Sequence, residues 1–256
     1  MFGAQLISFG ATAVIYFTSL SIALSDTGEE ILKFVHRIRN LETKREKYYL
    51  LPLFRDVYTQ AKKFDPNLSK NIKIHIIDSM NINAYALGRK TVAVTKGAID
   101  SLTEEELKGL IGHELGHIAN GDTIALLLST IGNGIFTILI IAAQTAVNII
   151  NAVIDRRGLA GVFMGFIKLC FSIVLFWFCY IGEFLLSINS RANEYAADEF
   201  AFKIGYGDDL VSALYLLQDM CISDNAKLGD RLKASHPHIA KRIGTLESMI
   251  DEEEQE

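Results

Sequence analysis

The chain has 256 residues, 50% of them hydrophobic and 21% charged, with a formal net charge of -5 and a mean hydropathy of +0.25. That composition excludes a disordered or fibrous chain, and an acidic balance without a Lys/Arg block argues against nucleic-acid binding. Three scattered cysteines, Cys170, Cys179 and Cys221, supply neither a disulfide framework nor a thiolate zinc site.

In chain order, Met1–Ser25 carries no charged side chain and is long enough to cross a hydrocarbon core of about 30 Å. It lacks the basic start of a signal peptide and reads as an uncleaved anchor. Lys33, Arg37, Arg39, Lys44 and Arg45 follow it, so Asp26–Asp122 is expected on the cytoplasmic side. Glu29–Tyr49 predicts a charged helix, and Leu53–Phe64 a short amphipathic one after Pro52. Ile72–Ile76 alternates with period two and Thr91–Thr95 follows as a second strand, with His75 on the polar side of the first. Thr103 and Glu106 form a capping box that opens a helix running to Ala119, where Asn120-Gly121 stops it.

Two further apolar runs come next. Thr123–Ile154 is uncharged, and Gly158–Ser190 is broken only by Lys168 and Glu183. They predict a membrane hairpin turning at Asp155-Arg156-Arg157. Glu183 reads as either an interfacial or a functional carboxylate. Helices are expected near Arg191–Ile204, Leu210–Met220 and Ile239–Ile250, before a solvated acidic tail. The division is therefore an anchor at 1–25, a first catalytic part at 26–122, a hairpin at 123–190 and a second catalytic part at 191–256. The fold class is α+β, mainly helical, with a small sheet and about three transmembrane helices.

The chemistry sits on the capped helix, at His113-Glu114-Leu115-Gly116-His117. Residues four apart share a helix face, so both imidazoles can hold one Zn²⁺ per chain, and Glu114 is placed to reach water rather than metal. Catalytic zinc needs a third protein ligand, for which Glu183, Glu194, Glu199 and His236 are available. Asp198 lies one turn beyond Glu194, on the same face.

Ser190-Arg191-Ala192-Asn193-Glu194-Tyr195-Ala196-Ala197-Asp198 resembles the second zinc motif of the HtpX-like and CAAX-prenyl-protease metallopeptidases. Asn83-Ala84-Tyr85-Ala86, Ile118-Ala119-Asn120-Gly121-Asp122 and His236-Pro237 with Arg242-Ile243 are similar to HtpX in the same order. The resemblance implies a zincin-like domain with His113, His117 and Glu194 as zinc ligands, Glu114 as general base, and Asp198 orienting His113. It further implies His236, or Arg242, as oxyanion donor, and Thr91, Val92, Ala93 and Val94 as the edge strand that pairs with substrate, aided by Asn83. HtpX-like enzymes carry two spans before the catalytic helix, where this chain shows one.

The function this implies is an integral, multi-pass zinc endopeptidase (EC 3.4.24 type) of the cell membrane, cleaving misfolded or damaged membrane proteins. A zinc-binding signal transducer and an inactive adaptor are the other classes weighed. The sequence does not name the substrate or the oligomeric state.

Overall fold

The computed structural model describes residues 14–138, 141–142, 145, 192–223 and 239–255. It divides into two units, Met1–Ile31 with Ala125–Ile188, and Leu32–Ile124 with Asn189–Glu256. In the first unit, residues 14–23 are helical, and the Tyr16 ring packs edge-on against Phe136 at 5.2 Å. Among the described residues no helix is long and apolar enough to cross a membrane. The run 158–190 lies outside the described residues, as do 1–13 and most of 139–154.

The second unit contains α1 (Asp26–Val35, entering from the first unit), β1 (Ile38–Arg39), α2 (Lys44–Phe64), β2 (Lys73–Ile77), β3 (Ala84–Leu87) and β4 (Thr91–Thr95). Next come α3 (Lys96–Ser101), α4 (Glu104–Asn120), α5 (Asp122–Leu127, leading back to the first unit), α6 (residues 192–201), α7 (Gly207–Ser223) and α8 (Ile239–Glu253). The architecture is mainly helical with a small mixed sheet.

The predicted helix over Glu29–Tyr49 is instead three pieces. Arg37 takes a left-handed φ of 54°, and Ile38–Arg39 pairs antiparallel with Ile76–Ile77. The Arg39 guanidinium fixes this turn by donating to Asp78 at 2.8 Å and Glu46 at 2.7 Å. Helix α2 then starts at Lys44, because Thr43 and Glu46 make a capping box of their own. Pro52 therefore lies inside α2 rather than before it; it sits on the exposed side, so the hydrogen bond it cannot donate is lost toward solvent.

The sheet has the order β1-β2-β4-β3, with β2 and β4 parallel and β3 antiparallel to β4. This overturns the edge-strand expectation for Thr91, Val92, Ala93 and Val94: β4 is hydrogen-bonded on both sides, and all five of its residues are buried. β3 is the edge strand on that side, a short strand that the sequence reading passed over. His75 is also buried rather than exposed, at 3%, because both faces of β2 are covered there.

Helix α4 is the centre of the unit. Leu107, Leu110, Ile111, Leu115 and Ile118 recur at helical spacing and face a core shared with Val57 and Ala61 of α2, Leu210 and Leu214 of α7, and Val92 and Val94 of the sheet. Its start is the expected capping box, with Thr103 accepting from the Glu106 amide at 3.2 Å and Glu106 accepting from the Thr103 amide at 2.8 Å. Its end is Gly121, at φ 79°. Two glycines set how close its neighbours come. A Cβ at Gly109 would lie 2.4 Å from the Leu210 amide nitrogen of α7, and one at Gly116 would lie 2.9 Å from both Cα and O of Ala197 on α6.

Candidate metal centre

His113 and His117 stand on one face of α4, with their Nε2 atoms 3.1 Å apart. Glu194 of α6 closes the triangle, Oε2 at 3.6 Å from His113 Nε2 and Oε1 at 3.5 Å from His117 Nε2. Tetrahedral zinc with bonds of about 2.0–2.1 Å holds its ligand atoms roughly 3.3–3.4 Å apart, so the three donors have the spacing of one tetrahedral face.

The outer partners decide what these atoms can do. Asp198 Oδ1 lies 2.8 Å from His113 Nδ1, and Asp122 Oδ2 lies 3.0 Å from His117 Nδ1. Each carboxylate accepts from its ring's Nδ1–H, which turns Nε2 toward the shared point. Two imidazole Nε2 atoms and a carboxylate then converge within 4.8 Å of one another. Two imidazole nitrogens and a carboxylate gathered this closely are a donor set that fits a divalent metal.

The neighbouring charges act differently on each side chain. Burial opposes charge on His117, but Asp122, Glu194 and Glu114 outweigh it and push the imidazole up to about 10. His113 goes the other way, pulled down by burial and by the nearby Arg242. Burial would raise Asp198, yet His113 and Arg242 hold it below the usual carboxylate range.

Glu114 is 2% exposed, and its Oε1 has no hydrogen-bond partner among the described residues. An orphaned carboxylate oxygen beside a metal site is what a base awaiting its water requires.

Arg242 stands elsewhere than the sequence reading put it. It is 2% exposed, and its nitrogens are committed: Nε and Nη2 donate to Asp198 at 2.8 and 2.7 Å, and Nη1 lies 2.8 Å from Glu194 Oε2. With all three of its nitrogens engaged, it braces the ligand and the orienting carboxylate. Asn83 is likewise buried, its Oδ1 accepting from the Ala84 amide at 2.9 Å and its backbone N–H donating to Thr95 Oγ1 at 3.0 Å, which anchors the start of β3. His236 and Glu183 lie outside the described residues. Asp122 is the group whose role sequence reasoning missed, although it ends the HtpX-like stretch Ile118–Asp122, directly after the helix-ending glycine.

The model of peptidase family M48 matches residues 53–250, which takes in every residue of this cluster. The chain belongs to peptidase family M48. It is 29% identical to the protease HtpX of Shewanella frigidimarina over 75% of this chain and 72% of that protein. With the HtpX of Aliivibrio fischeri strain MJ11 it shares 29% identity over 96% of this chain and 86% of that protein. The crystal structure of S. mikatae Ste24p superposes with a TM-score of 0.53 at 22% identity, covering 91% of this chain and 57% of that one. The last likeness is one of fold. The chain is thus an HtpX-like M48 metalloprotease, and its substrates are peptides or proteins.

Gly116, inside the metal motif, carries a prediction. A methyl there meets Ala197 backbone that cannot rotate aside, so α6 must move and take Glu194 and Asp198 with it. Gly116→Ala is expected to cost about 1–3 kcal/mol in thermal unfolding and to weaken metal binding in a chelator competition. Unchanged values in both would mean that α6 tolerates the shift.

Proposed function

We propose that this M48 protease is a membrane-anchored zinc endopeptidase that cleaves misfolded or damaged membrane proteins, with its catalytic residues on the cytoplasmic side. The observation that carries the chemistry is the triangle of His113, His117 and Glu194 beside the unpartnered Glu114 oxygen. Membrane anchoring rests on the uncharged runs 1–25 and 123–154 and the nearly uncharged 158–190, and sidedness on the basic residues after the first.

His113, His117 and Glu194 would hold the ion, and Zn²⁺ held there supplies Lewis acidity toward water and the scissile carbonyl. Glu114 takes the proton of the attacking water on its free oxygen and delivers it to the leaving amine. Asp198 holds the His113 ring with its Nε2 facing Glu194, and Arg242 offsets the two carboxylates it bridges. An extended substrate adds to β3, the edge strand packed against α4, so backbone pairing reads shape more than sequence. His236 is retained as the oxyanion donor.

Casein hydrolysis by the detergent-purified chain tests this reading. Chelation should abolish it and stoichiometric Zn²⁺ should restore it. Glu194→Ala should lose zinc affinity by more than about 100-fold, since a ligand matters more than its outer partner, while Glu183→Ala keeps it. Equal losses in the two variants would overturn the ligand set.

A further inference from the structure

We infer that Asp122 is a positioning residue for His117, the counterpart of Asp198 on His113, and that Thr123 beside it fixes where this carboxylate stands. The inference rests on the ligand assignment above.

A residue five positions beyond His117 in a continuous α-helix would point about 140° away from it. Here the helix stops. Gly121 adopts φ 79° and ψ 10°, and its amide donates back to the carbonyls of His117 and Ile118. This left-handed turn brings Asp122 round, so that its Oδ2 lies 3.0 Å from His117 Nδ1. The next residue locks the turn. Thr123 is 4% exposed, and its hydroxyl donates to the carbonyl of Gly88, in the turn between β3 and β4. Asp122 is therefore held between the end of the metal-motif helix and the hairpin that carries the edge strand. The chain from Gly88 through Thr123 and Asp122 to His117 physically joins the strand proposed to take substrate to a metal ligand.

The effect on the ligand is specific. With a carboxylate on each Nδ1, both imidazoles present Nε2 lone pairs to the same point, and neither ring can flip without abandoning its partner. The Asp122 side chain keeps 19% exposure, so replacing it leaves no buried void.

The test uses the full-length chain in detergent, with Zn²⁺ as the probe. Asp122→Asn and Asp122→Ala should each weaken zinc binding by about 10–100-fold in a chelator competition, with helix content unchanged by circular dichroism. In ¹⁵N-histidine-labelled, zinc-loaded protein, the His117 Nδ1 proton should persist in Asp122→Asn, whose amide oxygen still accepts, and exchange rapidly in Asp122→Ala. A purely structural role would move neither readout. Thr123→Val should show a smaller affinity loss in the same direction. Wild-type affinity in both Asp122 variants, or an unchanged Nδ1 resonance in Asp122→Ala, would overturn the inference. His117→Ala is the control: if it binds zinc as the wild type does, the ligand set itself is wrong and the positioning role falls with it.

Discussion

Glu114→Gln should reduce peptide hydrolysis by about 10²–10⁴-fold while leaving bound zinc unchanged. The substitution keeps shape and volume in a site where the side chain is 2% exposed, so the neighbouring ligands have no reason to move. What it removes is the ability to accept a proton from water and return it to the amine. The carboxylate oxygen, without a partner among the described residues, also costs stability in the resting protein, and an uncharged amide relieves part of that cost. The inactive variant is thus expected to unfold at a higher temperature than the wild type. Casein turnover, zinc content and thermal unfolding measured together decide the matter. Loss of zinc in parallel with activity would make Glu114 a structural group rather than a base.

Arg242→Met should be the most destabilising single change in the site. Two carboxylates, Asp198 and Glu194, share this guanidinium, and the Arg242 and Asp198 side chains are each only 2% exposed. Removing the cation leaves two buried carboxylates with only the His113 and His117 imidazoles beside them, at a cost of about 3–5 kcal/mol. For a domain of this size that is a fall in unfolding temperature on the order of 10 °C. Arg242→Lys should rescue little, because one ammonium cannot span both carboxylates in the geometry of a fork. Saturating zinc should recover part of the loss by supplying positive charge beside Glu194. Unfolding followed by near-ultraviolet circular dichroism, with and without zinc, gives the comparison. A variant as stable as the wild type in the absence of metal would show that the ion pairs contribute nothing to the fold.

The metal site was legible to the extent that its residues lie on helices. His113, Glu114 and His117 share α4, and its capping box and glycine stop were readable because both devices act within a few residues of each other. Asp122 was passed over because a left-handed turn, not helical periodicity, brings it to His117. Arg242 was misread for a different reason. A conspicuous cation near a catalytic motif suggests substrate, whereas its partners Asp198 and Glu194 become visible only when α6 and α8 are brought together.

Strand order failed for a physical cause as well. Thr91–Thr95 is buried on both faces and pairs in parallel with β2, as an interior strand does; its expected place at the edge came from the resemblance and not from its own residues. Ala84–Leu87, with two alanines in four residues, owes its extended form to pairing with β4 rather than to its own propensity.

The order in which these groups occur along the chain has a consequence for synthesis. The two histidines and Glu114 leave the ribosome first, whereas Glu194 and Asp198 follow only after the long apolar stretch, and Arg242 later still. A nascent chain that has reached the apolar run from Thr123 therefore carries Glu114 and two of the three candidate ligands, but nothing to close the triangle. The candidate metal site is therefore complete only after residues on both sides of the long apolar stretch have been made.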